Sequence, residues 1–407
     1  MRTKFMKVGR RAVIKSIATG LATSTFGVFP RLAFADERQG VTDTEILIGG
    51  LGPITGPTAF IGAPGRDGIQ LAIEKINETG PINGRKLRLT YEHAATPAES
   101  VAAAKKLTEN DKVFVLVLAS GSTGAAAAAD YVRSAKIPTY NIFGATPIIR
   151  EPFARNIFHG SMPDPVVTGS EMVNEIFKAV PNAKKVGVLA GTYAFPQANL
   201  KAMTPILQKR GLEVVLEQFD ANANDYTAQL VAFARQRVEV ILVLGSYTEA
   251  GFAIKQAPDK GVGDVAWVLD GSGTNDAIVS IIGKENSKNL WGYYNAPYFP
   301  SQSEGPIVNF VKIWTAKYGQ PPQGRPSLYD IVSYGCTYVM AQAIKNAGRD
   351  LTWSSLMDSW EKLHNAKPSD LGGYDVIFPE TVSAADHQGN KLVGPSRIVD
   401  GKWKVIP

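Results

Sequence analysis

Cysteine is almost absent from these 407 residues: Cys336 stands alone, so no intramolecular disulfide can form. Its setting, Val332 to Met340, reads as a helix, where a lone cysteine fills core space rather than offering a reactive thiol. Histidine is scarce as well. His93, His159, His364 and His387 show no metal-ligand spacing, and no cysteine cluster supplements them, so no metal site is expected. There is no G-x-x-x-x-G-K-S/T phosphate loop, and no strand-like run leads into G-x-G-x-x-G, so no cofactor site is expected either. Gly121-Ser122-Thr123-Gly124 places serine directly after glycine, which is not the G-x-S-x-G nucleophile elbow. With no recognisable base, catalysis is not expected. Long apolar runs are missing too. Past the N-terminus nothing reaches the 18 or so apolar residues that mark a membrane span.

A surplus of positive charge is present only at the start. Arg2, Lys4, Lys7, Arg10 and Arg11 precede a small-residue and apolar stretch from Ser16 to Pro30, which ends in Ala33-Phe34-Ala35. Charged, apolar and small-x-small segments in that order read as a cleavable export signal over residues 1–35. Arg10-Arg11-Ala12-Val13-Ile14-Lys15 resembles the twin-arginine type, an address rather than an anchor. The reading places the mature protein in the periplasm, with cleavage near Ala35. Residues 1–35 hold seven of the 43 Lys/Arg and no acid; the remaining 36 face 37 Asp/Glu, a net charge of −1. No basic surplus is left to attract nucleic acid. The mature length exceeds the ~250–300 residues at which single cores stop growing, so two domains are expected.

Strand-like and helix-like runs alternate through most of the chain. Short, β-branched, apolar strands are read at Glu45–Leu51, Lys86–Tyr91, Val113–Leu118, Pro138–Ile142, Lys185–Leu189, Glu213–Phe219, Val238–Leu244 and Ala266–Leu269. Between them, Ile69, Ala72, Ile73 and Ile76 recur at helical spacing, and Thr96-Pro97 is an N-cap with Pro at the first helical position. Alternating βα units mean an α/β protein with parallel sheets. A break falls around Ser161–Pro165. From Tyr298 the alternation stops, and helices follow at about Glu304–Tyr318, Leu328–Asn346 and Trp353–Leu363. The end, Tyr374 to Ile406, reads as strands, with hairpin turns at Gly389-Asn390 and Asp400-Gly401.

Two loops look suited to a small ligand. Val113–Leu118 runs into Ala119-Ser120-Gly121-Ser122-Thr123 and then a helix, whose first N–H groups favour a carboxylate. Ser120 or Ser122 adds a hydroxyl. Pro138–Ile142 ends in Phe143-Gly144-Ala145-Thr146-Pro147, where small residues let backbone groups approach a ligand. Both loops lie at carboxyl ends of parallel strands, where such sheets bind ligands. Ordinary Gly/Ser loops would read the same way.

Gly52-Pro53-Ile54-Thr55-Gly56-Pro57, Gly68-Ile69-Gln70-Leu71-Ala72, Ile82-Asn83-Gly84-Arg85-Lys86-Leu87 and Gly144-Ala145-Thr146-Pro147, in that order, resemble the type I periplasmic binding proteins, and among them the leucine/isoleucine/valine-binding family of ABC importers. The resemblance implies two α/β lobes, each a parallel sheet flanked by helices, joined by three crossover hinges. Lobe one would be 36–162 with 297–375, and lobe two 163–296 with 376–407. It implies an extracytoplasmic solute-binding protein that is not an enzyme and serves an ABC permease, with a hydrophobic or branched-chain amino acid in the interlobe cleft. The carboxylate-binding serine falls on Ser120, or on Ser122 if the register slips. The backbone cradle falls on Gly144, Ala145 and Thr146. Tyr247 and Asp270 would hold the ammonium, with Gly271 the ungapped match to Asp270. Phe60 and Ile61 in the first loop, Phe143, and Phe195 in a segment that departs from the family pattern make the pocket more aromatic and apolar. An aromatic or other organic carboxylate is therefore the alternative ligand, and a ligand sensor for a signalling partner the alternative role.

Overall fold

Val115-Leu116-Val117-Leu118 is buried at all four positions, which a strand achieves only when both faces of its sheet are covered. The computed structural model, which describes residues 37–320 and 324–406, supplies that cover. The export signal read at 1–35 lies outside the described residues. The first sheet and its helices comprise β1 (Glu45–Gly52), α1 (Ala59–Thr79), β2 (Lys86–His93), α2 (Pro97–Lys105), β3 (Val115–Leu118), α3 (Gly121–Ala135), β4 (Thr139–Asn141), α4 (Pro147–Arg150) and β5 (Ile157–His159). The strands lie in the order β2-β1-β3-β4-β5, all parallel. Thr96 and Glu99 form the reciprocal cap that starts α2: Thr96 Oγ1 accepts from Glu99 N at 3.2 Å, and Glu99 Oε2 accepts from Thr96 N at 3.0 Å.

The second sheet follows with α5 (Pro165–Ala179), β6 (Lys185–Gly191), α6 (Ala194–Lys209), β7 (Glu213–Phe219), α7 (Thr227–Gln236), β8 (Val240–Leu244), α8 (Tyr247–Gln256), β9 (Ala266–Leu269), α9 (Ile278–Ile282) and β10 (Leu290–Tyr294). Then come α10 (Pro306–Tyr318), α11 (Leu328–Asn346), α12 (Trp353–Trp360), β11 (Gly394–Val399) and β12 (Lys402–Val405). The order is β12-β11-β10-β9-β8-β6-β7. Strands β6 to β10 pair in parallel, whereas β11 and β12 are antiparallel. The second sheet is thus parallel through its body, as expected, and the hairpin read at Asp400-Gly401 forms its antiparallel edge. A two-residue turn reverses the chain, so its strands must be antiparallel. Asp400 and Gly401 both take positive φ, as that turn requires.

The chain passes between the sheets three times: after β5, after β10, and between α12 and β11. The second passage brings α11 back onto α1. Gly68 permits the close fit, since a Cβ there would lie 2.1 Å from Ser333 Oγ. The tail from Tyr374 to Gly389 is not the run of strands expected. Gly389-Asn390 makes no hairpin; Gly389 N donates to His159 O at 2.8 Å, and Asn390 Nδ2 donates to Ser161 O at 2.9 Å. Gln388 Nε2 also donates to Gly160 O and Met162 O, so the third passage is fastened to the first. Cys336 is buried, and burial pushes its thiol well above the ordinary range, in keeping with a filler of space. Among the described residues no helix is long and apolar enough to cross a membrane.

Candidate functional site

α3, which follows β3, touches α6, which follows β6, and Tyr247 after β8 meets Phe60 of α1, so the carboxyl ends of the two sheets border a common cleft. On the first side, Ser120 stands at the N-cap position of α3 without capping it. Its Oγ is buried with no hydrogen-bond partner. A buried hydroxyl left unpaired costs roughly 1–3 kcal/mol unless something fills the vacancy. Ser122 behaves differently: its Oγ accepts from Ala145 N at 3.0 Å, tying α3 to the loop after β4. Gly144 is held by Asn141, whose Oδ1 accepts from Gly144 N at 2.8 Å and whose Nδ2 donates to Gly144 O at 2.7 Å. A Cβ at Gly144 would come within 2.6 Å of both Ala125 and Asn141, so only glycine fits. Thr146 is buried and caps α4 by accepting from Ile148 N. The amides of Gly144 and Ala145 are therefore engaged within the loop, and Ser120 with the uncapped start of α3 supplies the free donors.

Arg150 ends α4 just behind this loop. Its Nη1 reaches Gly144 O at 3.5 Å and its Nη2 donates to Met162 O at 3.0 Å. Its Nε is buried without a hydrogen bond, 3.7 Å from Asp164 Oδ2. Burial pulls the guanidinium down to about 10, opposed by Asp164 and Asp386, so it stays charged at neutral pH. His159 is held well below its usual range by burial and by Arg150, and is neutral there.

The second side carries acids. Asp270, fully buried after β9, accepts from Gly245 N (2.8 Å), Ser272 N (2.7 Å) and Gly273 N (2.9 Å). Its carboxyl is raised to about 7, chiefly by burial and to a lesser extent by the charge of Glu249, against the lowering effect of the three amides. Glu249 on α8 is itself buried. It accepts from Tyr193 Oη (2.8 Å), Ser246 N (2.8 Å), Ser246 Oγ (3.0 Å) and Asn222 N (3.0 Å). Among the described residues no cation is a partner of either carboxylate.

Aromatic rings close the space between. Phe60 meets Tyr247 edge-on at 6.3 Å and Tyr329 at 5.9 Å, and Tyr329 meets Phe143 at 5.0 Å. A cavity of about 190 Å³ beside them is lined by Phe60, Tyr247, Tyr329, Asn275 and Arg325. Ile61 lies against Gly121 at the start of α3. Phe195 is half-buried in the first turn of α6, and Asn199 Nδ2 donates to its carbonyl. Gly271 packs on Tyr293 and Asn295. Sequence reasoning missed Arg150, Glu249 and Tyr329. Glu249 had a readable signal, the Ser246-x-x-Glu249 capping pattern at the start of α8. Tyr329 arrives from a distant helix, and no local pattern announces that. Among the described residues, no group of three or more His, Cys, Asp or Glu is placed to hold a metal ion.

A sequence model described as Periplasmic binding protein matches residues 45–402. The chain is 27% identical over 310 residues to an amino acid binding protein of Pseudomonas aeruginosa, covering 75% of this chain and 79% of that one. Its structure is similar to the branched-chain amino acid transporter substrate binding protein LivJ of Streptococcus pneumoniae in complex with isoleucine: TM-score 0.73, 21% identity, 89% of this chain and 99% of that one. It is also similar to a solute binding protein of an ABC transporter from R. palustris in complex with benzoate: TM-score 0.73, 19% identity, 88% of this chain and 94% of that one. At such identities the structural likeness speaks for the fold alone.

Proposed function

The chain belongs to the periplasmic binding protein family, and on that footing we propose that it is the exported, extracytoplasmic solute-binding component of an ABC importer, carrying a hydrophobic amino acid in its interlobe cleft to a membrane permease. The observation that carries the ligand reading is the opposite electrical need of the two walls. Ser120 Oγ and the start of α3 have no acceptor among the described residues, and Arg150 has a single carboxylate, Asp164, at 3.7 Å; Asp270 and Glu249 have no cation among their partners. A zwitterion answers both, with its carboxylate at α3 and its ammonium toward the acid pair. The rings of Phe60, Tyr247 and Tyr329 would cover its apolar part. The names of the amino acid-binding relatives support the same reading. The task is binding and release by lobe motion, without bond chemistry.

A second reading, an aromatic carboxylate without an ammonium, is favoured by the ring cluster. It would leave Asp270 and Glu249 uncompensated. A thermal-shift screen of leucine, valine and phenylalanine against benzoates and cinnamates decides, because a bound ligand raises stability by mass action. Amino acids are expected to raise the melting temperature. A shift with aromatic acids alone would replace the leading reading with the second.

A further inference from the structure

Two largely buried guanidinium groups, those of Arg150 and Arg325, stand near the cleft, and their surroundings differ. Arg325 is neutralised by two carboxylates, Asp67 at 2.9 Å and Asp330 at 2.5 Å. Arg150 has one, Asp164, at 3.7 Å and 42% exposed. Its other partners are carbonyl oxygens, and its Nε is buried and unpaired. Asp386, the other acid that acts on it, is already bound to Lys391 at 2.6 Å. A charge buried against neutral dipoles and a half-exposed acid is poorly compensated. Arg150 also has a defined position. It grips the carbonyl of Gly144, whose neighbour Ala145 is tied through Ser122 to the first turn of α3. At the same time it grips Met162 O on the first passage between the lobes.

We propose that Arg150 is a positioning residue that sets the charge preference of the cleft: its under-compensated guanidinium, placed behind the Gly144–Thr146 loop, favours a ligand carboxylate at the start of α3 and fixes that loop to the hinge. This rests on the binding function proposed above and adds a residue that acts on the ligand without touching it. At an effective dielectric of about 20, unit charges that are not in contact still attract one another appreciably. The effect therefore survives the separation.

The test is a ratio. L-leucine, L-phenylalanine and benzoate are titrated calorimetrically against their amides, L-leucinamide, L-phenylalaninamide and benzamide, on wild type, Arg150→Gln and Arg150→Lys. Arg150→Gln keeps a donor for Met162 O and loses the charge. It is expected to lower the acid-over-amide preference about tenfold, while Arg150→Lys restores most of it. A role in packing alone would weaken acid and amide alike. An unchanged ratio in Arg150→Gln, with wild type binding at least one acid, overturns the assignment of Arg150 and leaves the binding function standing. Wild type binding none of the three acids overturns both.

Discussion

At the carboxyl ends of β3 and β4 the chain presents hydroxyls, an uncapped helix and a buried guanidinium; at the ends of β8 and β9 it presents two buried carboxylates. Both walls are built from the same kind of strand-to-helix turn, and both satisfy their backbone locally. They differ in what is left over. On the first wall the side chains cap the loops economically, Ser122 on Ala145 and Asn141 on Gly144, and one hydroxyl remains unpaired. On the second wall every oxygen of Asp270 and Glu249 has a donor, and what these two carboxylates leave over is negative charge rather than a missing hydrogen bond, although Tyr293 Oη and Asn295 Oδ1 beside Gly271 are buried without partners. The first wall should therefore recognise by contact and the second by field, so variants on the two sides should fail differently.

The largest expected effect is on the second wall. Asp270→Asn replaces one carboxylate oxygen with an NH2 group that faces a backbone N–H donor, and is expected to cost about 2–3 kcal/mol of stability. Its pH dependence has a definite sign. Asp270 sits at about 7 in the folded state against an ordinary value of 3.8, so folding strengthens its hold on a proton. Its stabilising share is full below about pH 4 and is lost as pH rises toward 7. The gap between wild type and Asp270→Asn, measured by denaturant unfolding, should be wider at pH 5 than at pH 8. An ammonium nearby would pull the pKa back down. Leucine should thus bind wild type more tightly as pH rises from 5 to 7.5, and the variant should lose that slope. Unchanged stability together with lost amino-acid binding would make Asp270 a contact residue, and the contrast between the walls would collapse.

The first wall should show the reverse pattern with a smaller energy. Ser120 Oγ has no partner among the described residues, so Ser120→Ala removes nothing the fold uses, and its unfolding free energy should match or exceed that of wild type because the cost of an unpaired buried hydroxyl is relieved. If the hydroxyl donates to a ligand carboxylate, affinity should fall about tenfold, the worth of a charge-assisted hydrogen bond of ~1.5 kcal/mol. Ser122→Ala is the control. It strands Ala145 N and should cost about 1 kcal/mol of stability. Titration calorimetry and denaturant unfolding on both variants separate them, and a stability loss in Ser120→Ala equal to that in Ser122→Ala would erase the distinction.

Sequence reading reached the two walls unequally for physical reasons. Local periodicity located α11 at the bounds observed, because nineteen residues in one helix repeat the pattern many times. It missed β5, only three residues long, and β10, whose Leu290-Trp291-Gly292-Tyr293-Tyr294 is interrupted by a glycine. The first wall is formed by residues close in sequence, so its loops were legible as loops. What they bind internally was not: the amide of Ala145 goes to Ser122 only because α3 folds back beside β4. The second wall depends on Glu249 and Asp270 converging from α8 and the end of β9, and Tyr329 joins from α11. Such convergence is tertiary, and no spacing encodes it.

The smallest expected effect tests whether Tyr247 belongs to contact or to cover. Its ring stands edge-on to Phe60 at 6.3 Å and 87°, reaching from the second wall to the first. No hydrogen bond of its hydroxyl occurs among the described residues. Edge-to-face pairs contribute about 0.5–1.5 kcal/mol through the ring, which phenylalanine keeps. Tyr247→Phe should therefore change leucine affinity by less than about twofold, whereas a hydroxyl bonded to the ammonium would cost about tenfold on removal. Tyr247→Leu keeps apolar bulk and loses the ring edge, so it shows whether closure uses that geometry at all. A tenfold loss in Tyr247→Phe would move Tyr247 to the set of direct ligand contacts. The second wall would then recognise by contact as the first does, and the field of Asp270 and Glu249 would be a supporting influence rather than its means of recognition.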